Sequence, residues 1–270
     1  MGGEYARRLP TELETKILQY IADEGDGHHP ALVECALVCK AWTEHVRPHL
    51  YYTLNMNTLR GSRQFEILRE YPYLRPFVRD FRWPRVVFPR SLYYFDASDE
   101  DVIKDVAPAV MKLRFRGVDY RILQPPLRDT IPTFANIKEL DMTGSILEEW
   151  TTVVRVISSF PLLSILAMPR MAAFRTAAFQ DGHSEISYPP PRRLAHIKLA
   201  FGCETETVSW IRKGSPIPDI QTVEAESQID SNVLEKLLSS LGGSLRHLII
   251  YIDPSRAFLQ LSPRGQGFFD

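Results

Sequence analysis

Residues 9–21 read Leu9-Pro10-Thr11-Glu12-Leu13-Glu14-Thr15-Lys16-Ile17-Leu18-Gln19-Tyr20-Ile21, and residues 36–42 read Ala36-Leu37-Val38-Cys39-Lys40-Ala41-Trp42. In the first stretch Pro10 suits the opening turn of a helix, where its missing N–H costs nothing. Glu12 stands at the positive end of that helix's dipole. Leu13, Ile17, Tyr20 and Ile21 recur at helical spacing, Leu18 widens the stripe, and Asp23-Glu24-Gly25-Asp26-Gly27 ends it. Pro30 then opens a second helix, predicted over Ala31 to Lys40. Leu32, Val33, Cys35, Ala36, Leu37, Val38 and Cys39 cover nearly all of its circumference, leaving Glu34 and Lys40 as the charged positions. A helix apolar all round must be covered all round. Two short neighbours cannot do that, and a free-standing unit of about 40 residues is marginal. Either the rest of the chain or another protein has to complete the burial. A third helix is predicted from near Ala41, with Trp42 and Val46 at i, i+4, ended by Pro48.

After Tyr51 the texture changes. One pattern returns: apolar, two residues, apolar, one residue, apolar. It occurs as Tyr51/Leu54/Met56, Val78/Phe81/Trp83, Val110/Leu113/Phe115 and Ile137/Leu140/Met142, then as Leu163/Leu166/Met168, Leu194/Ile197/Leu199, Ile220/Val223/Ala225 and Leu245/Leu248/Ile250. Successive first residues are 27, 32, 27, 26, 31, 26 and 25 apart. A recurring step in this range marks a solenoid. The last two apolar positions alternate as a strand with one buried face requires. Helices are predicted between strands: one carrying Phe65, Leu68 and Arg69 and capped by Ser62, one capped by Ser98 and Asp101, and one on Trp150, Val153, Val154 and Ile157. Val208 and Ile211 mark another after Glu204. Ser231 caps the last, on Leu234, Leu237, Leu238 and Leu241, which leaves through Gly242-Gly243.

Leu-Pro-x-Glu-Leu-x-x-Lys-Ile-Leu, followed about twenty residues later by Leu-Val-Cys-Lys-Ala-Trp, resembles an F-box. That resemblance implies a helical module binding the Skp-type adaptor of a cullin-RING ubiquitin ligase. It maps the family's contact positions onto Leu9, Pro10, Ile17, Leu37, Val38 and Trp42. The link through Gly25-Asp26-Gly27-His28-His29 departs from the family in offering no typical cap to the second helix. The ladder resembles a leucine-rich repeat horseshoe, although Ser145, Gly202, Gln228 and Asp253 stand where the repeat expects Asn. The fold class is thus α/β. A tail over 1–7 and an F-box module over 8–50 precede an irregular leucine-rich-like solenoid with a curved parallel sheet over 51–270. An ordinary α/β domain with parallel strands is the competing reading, because βα units serve both folds. After Ile250 no capping unit is recognisable, so a shortened, self-associating array is expected. Two long units, one with Pro84 to Arg90 and Tyr93-Tyr94-Phe95, one from Gln180 to Arg193 with Pro189-Pro190-Pro191, place insertions on loops.

Residues between the buried positions of the ladder would line the concave face. Arg82, Lys112, Arg114 and Arg116 make its early strands basic, while Glu224 and Glu226 make the late ones acidic, a polarity that would orient a protein target. The chain holds 32 basic and 33 acidic residues, a net charge of −1. That balance argues against a general nucleic-acid binder. The odd cysteine count (Cys35, Cys39, Cys203) does not describe a disulfide scaffold. Both cysteines of the second helix are expected to be buried hydrophobes rather than metal ligands. The N-terminal residues show no apolar leader and no run is long enough for a membrane span, so a cytosolic or nuclear protein is expected. Neither a phosphate-binding glycine loop nor a Gly-x-Ser-x-Gly elbow occurs. The expected function is therefore non-catalytic and needs no cofactor or metal: a substrate receptor of an SCF-type ligase. The alternatives are a leucine-rich-like interaction scaffold without ligase recruitment and, more remotely, a hydrolase.

Overall fold

Why the chain alternates strand and helix is visible in where its apolar residues go. The computed structural model describes residues 10–23, 30–56, 59–83, 97–120, 125–147, 149–169, 188–226 and 228–252. Two compact units divide it, residues 1–115 with 123–137, and residues 116–122 with 138–270.

The first unit begins with three helices, α1 (Thr11–Asp23), α2 (Pro30–Val38) and α3 (Lys40–Leu50). Three parallel strands follow in chain order, β1 (Thr53–Asn55), β2 (Asp80–Arg82) and β3 (Lys112–Arg114). Leu54, Phe81 and Leu113 are in register across them and fully buried. Helices α4 (Leu59–Glu70) and α5 (Ala97–Val106) supply Phe65, Leu68, Val102, Ile103 and Val106 to the core. Both start at or before the expected caps Ser62 and Ser98, which lie inside them. A short helix not expected from the sequence, α6 (Pro125–Thr130), leads to the buried Phe134. Phe81, Trp83, Phe115 and Phe134 form one aromatic cluster, with ring centroids 5.2–6.4 Å apart. Such tilted and edge-to-face pairs add to what their burial contributes.

The second unit holds five parallel strands, again in chain order: β4 (Glu139–Asp141), β5 (Ile165–Ala167), β6 (His196–Leu199), β7 (Thr222–Glu226) and β8 (His247–Tyr251). Helix α7 (Trp150–Ser158) buries Trp150, Val153, Val154 and Ile157, and α8 (Glu204–Lys213) buries Val208 and Ile211. Helix α9 (Ser231–Leu241) buries Leu237 and Leu241. Its cap is Asp230, whose carboxylate accepts from the Asn232 N–H at 2.8 Å, so the cap stands one residue before the expected Ser231. Gly242 leaves the helix at φ 55°, a conformation only glycine adopts without strain. Tyr188 to Pro191 pack beside α7 and α8. The Trp210 indole N–H donates to the Tyr188 carbonyl at 2.8 Å and the Ser158 hydroxyl to the Pro189 carbonyl at 3.0 Å.

One bond recurs at strand entries. The carbonyls of Tyr52 and Arg79 each accept from two successive N–H groups of the following strand unit, and so do those of Lys138, Ser164, Ala195 and Gln221, at 2.8–3.0 Å. All eight ladder stretches are strands, and the apolar rows of β2 through β7 are sealed. The eighth differs. Leu248 and Ile250 are 41% and 49% exposed, because no described helix covers that end of the row. The stretches 84–96, 170–187 and 253–270, which contain most of both expected insertions and the chain end, lie outside the described residues, as do 24–29 and Leu9.

Candidate functional site

Among the described residues of the helical module only Leu18, Leu32 and Val46 are fully buried, one from each helix. Ile21, Cys35, Ala36, Trp42 and Leu50 pack partly against them. The module is organised by small local devices. The Pro10 carbonyl accepts from the N–H groups of Leu13 and Glu14, at 2.9 and 3.1 Å, and so starts α1. Between α2 and α3 the backbone breaks at Cys39, which is extended at φ −163° and ψ 167°. The second helix therefore ends at Val38 rather than running to Lys40, and the third begins at Lys40. Thr43 fastens this corner: its hydroxyl donates to the Ala36 carbonyl at 2.6 Å and its N–H to the Cys39 carbonyl at 3.0 Å. Pro48 lies within α3 instead of ending it, in the last turn, where one lost backbone bond is tolerated. Cys39 is exposed and Cys35 half-buried, so the expected burial of both fails at the corner, where Cys39 points away from the core.

What these helices do not bury defines the site. On α2, Leu37 is 81% exposed, Val38 65% and Val33 53%. On α1, Leu13, Ile17 and Tyr20 are exposed, and Pro10 is exposed at its head. Of the residues the sequence assigned to adaptor contact, Pro10, Ile17, Leu37 and Val38 thus stand at the surface. Trp42 is half-buried against the module's own core. Leu13, Tyr20 and Val33 join that surface without having been singled out. Their signal was available in the same helical stripe, but a stripe alone does not say which of its members face inward.

A second set of polar side chains lies on the open face of each unit's strands, opposite the sealed row. In the first unit Asp80 is the centre. Arg114 grips its carboxylate through Nε at 3.2 Å and Nη2 at 3.1 Å, and Arg82 through Nε at 3.3 Å. Lys112 is the register partner of Asp80. In the second unit Arg116 donates to Asp141 at 2.6 Å, and the other Asp141 oxygen accepts from the Thr143 hydroxyl and N–H. Burial raises the Asp141 carboxyl, but the Thr143 bonds and the Arg116 guanidinium outweigh it and hold it below the ordinary carboxylate value. Glu224 is ringed by His196 at 2.8 Å, Lys198 at 3.6 Å and the Tyr251 hydroxyl at 2.9 Å. Burial raises its carboxyl as well; the Tyr251 bond and the two basic neighbours bring it below its usual value. Glu226 occupies the same face two residues on. The six residues assigned to target binding are therefore split, with Arg82, Lys112 and Arg114 on one unit and Arg116, Glu224 and Glu226 on the other. Sequence reading missed Asp80, Asp141 and Lys198, the partners that fix where the assigned charges sit.

Among the described residues no group of His, Cys, Asp or Glu has the arrangement of a metal site, and no helix is long and apolar enough to cross a membrane. Cys203 is buried, its thiol donating to the Pro169 carbonyl at 3.3 Å, and burial pushes its pKa up to about 12. It is an inert part of the core. No curated protein matches the chain. The F-box-like family model matches residues 6–57, a span that takes in all three helices of the module and β1, and the chain thus carries an F-box-like domain at its head.

Proposed function

We propose that this protein is the substrate-recognition subunit of an SCF-type ubiquitin ligase. The F-box-like module docks on the Skp-type adaptor, and through it on a cullin-RING assembly. The observation that carries this reading is the bare apolar surface of α2, with Leu37, Val38 and Val33 all more than half exposed inside an F-box-like domain. Fully burying one such side chain is worth about 1.5–3 kcal/mol, and a partner that covers several gains that energy. Pro10 and Ile17 extend the surface onto α1.

The α/β region then serves as the target-binding arm. We read it as an irregular leucine-rich-like solenoid. The recurring bifurcated bond at strand entries and the row of buried positions in β2 through β7 support that reading. Arg82, Lys112, Arg114, Arg116, Glu224 and Glu226 present the charges that choose and orient a protein target. The chain supplies proximity rather than bond chemistry, raising the target's effective concentration near the ligase's catalytic partner. It works in the cytosol or nucleus, without a cofactor. The test is co-purification of the intact chain with a Skp-type adaptor, beside Leu37→Asp combined with Val38→Asp. The intact chain should retain the adaptor and the double variant should lose it while keeping its fold. Failure of the intact chain to bind would leave only an interaction scaffold.

A further inference from the structure

Arg82 and Arg114 are register partners on neighbouring strands, so their side chains leave the sheet side by side on one face. Both reach the same carboxylate. Asp80 is almost fully buried, at 3% side-chain exposure, and the arginines over it are only 20% and 18% exposed. Two guanidinium groups thus share one negative charge, leaving a local surplus of one positive charge. Arg114 spends its Nε–Nη2 edge on Asp80, and Arg82 spends Nε alone. Among the described residues, neither Arg82 Nη nor the Arg114 Nη1 has a hydrogen-bond acceptor.

These unpartnered Nη groups are not among the buried polar atoms, so they stay open to an incoming acceptor while the rest of each side chain is mostly covered. The Nη1–Nη2 end of Arg82 is a planar fork of the spacing that a carboxylate accepts with both oxygens. Arg114 Nη1 stands beside it. The open-face side chains of the three strands are Thr53, Asn55, Asp80, Arg82, Lys112 and Arg114. The Asp80 carboxylate holds the two guanidiniums in place before any ligand arrives, and so lowers the ordering cost of binding.

We infer that Arg82 and Arg114, pinned side by side over the buried Asp80, form a docking site for a carboxylate side chain of an acidic peptide segment in the target protein. The inference rests on the target-binding role proposed above and names the chemistry that role would recognise. Asp80 is a positioning residue, since it touches the arginines and not the ligand.

The probe is a fluorescein-labelled octaglutamate peptide, with octaglutamine as control, titrated by anisotropy against the full chain co-purified with its Skp-type adaptor. At about 0.15 M salt, where exposed charges are largely screened, octaglutamate should bind and octaglutamine should not. Arg82→Gln, which leaves Asp80 gripped by Arg114, should weaken binding about tenfold with an unchanged melting temperature. Asp80→Asn raises the net positive charge, yet should also weaken binding, because the forks are no longer held. Equal binding of the two peptides, or unchanged affinity in Arg82→Gln, overturns the site. Tighter binding in a folded Asp80→Asn shows a diffuse positive field instead and overturns it too. If Asp80→Asn does not fold, Arg82→Gln decides alone. Adaptor retention is read in the same samples, so loss of peptide binding with the adaptor still bound removes this site and leaves the adaptor role standing.

Discussion

Leu140 on β4 and Leu37 on α2 are the same residue type put to opposite uses. Leu140 is fully buried in a sealed row, with Leu166 and Ile197 following it strand by strand. Leu37 is the most exposed large apolar side chain among the described residues. Apart from β8, the strands of the α/β region cover their apolar rows internally, and the region pairs buried polar groups such as Asp141, Thr207 and Ser145. The helical module seals only a three-residue core and leaves the rest of two helix faces bare. A surface of that kind is retained where something else covers it. On the proposed function, adaptor docking thus draws on what the module fails to bury, while stability draws on what the ladder does bury.

That contrast can be broken experimentally. Phe81→Ala removes one fully buried ring from the aromatic cluster and should cost about 3–5 kcal/mol, read as a drop in the chemical denaturation midpoint. Little change would mean that the ladder is looser than its sealed row implies. Leu32→Ala removes α2's one fully buried side chain and should cost the module about 2–5 kcal/mol, seen as earlier loss of protection in hydrogen exchange over α1–α3. Gly214→Ala tests the packing of the proline stretch. An added Cβ would lie 2.6 Å from Pro190 Cγ, and a rigid ring cannot swing away, so about 1–3 kcal/mol is expected to be lost. Leu37→Ala should shift stability by no more than about 0.5 kcal/mol while weakening adaptor capture. A large melting shift there would put Leu37 in a core and dissolve the comparison.

Acid should act on the ladder. Asp141 has its folded pKa depressed, so its contribution is present above its unfolded value and is lost as pH falls through the folded one. The wild type should therefore lose stability below about pH 4, and Asp141→Asn should flatten that part of the curve while lowering the plateau at neutral pH. Thermal melts from pH 7 to pH 3 read both.

How much of this was legible beforehand depends on the range of the interaction involved. The ladder was legible because its period is local: apolar residues three and then two apart, at each strand, need no knowledge of partners. Helix α6 was not, since Pro125-Pro126 and a six-residue length give no stripe to read. The break at Cys39 was hidden for the opposite reason, as an unbroken apolar run over residues 35–39 carries no stop signal, and the turn is held by a Thr43 bond reaching back to Ala36. Pro48 was read as a stop because proline breaks helix interiors, but in a last turn it has little left to break.

By itself, the sequence determined that a three-helix head precedes a ladder of strands, because helical and strand periodicities are written within a few residues of each other. It also determined that α2 has more apolar surface than its neighbours can hide. Only the tertiary structure decided which of those side chains stay outside, since Leu32 and Leu37 differ in nothing but the direction the folded helix gives them. It alone placed Asp80 beneath Arg82 and Arg114, two residues and thirty-four residues away along the chain. The physical reason is common to both: burial and charge pairing are set by distance in space, and strand register brings together what the sequence keeps apart.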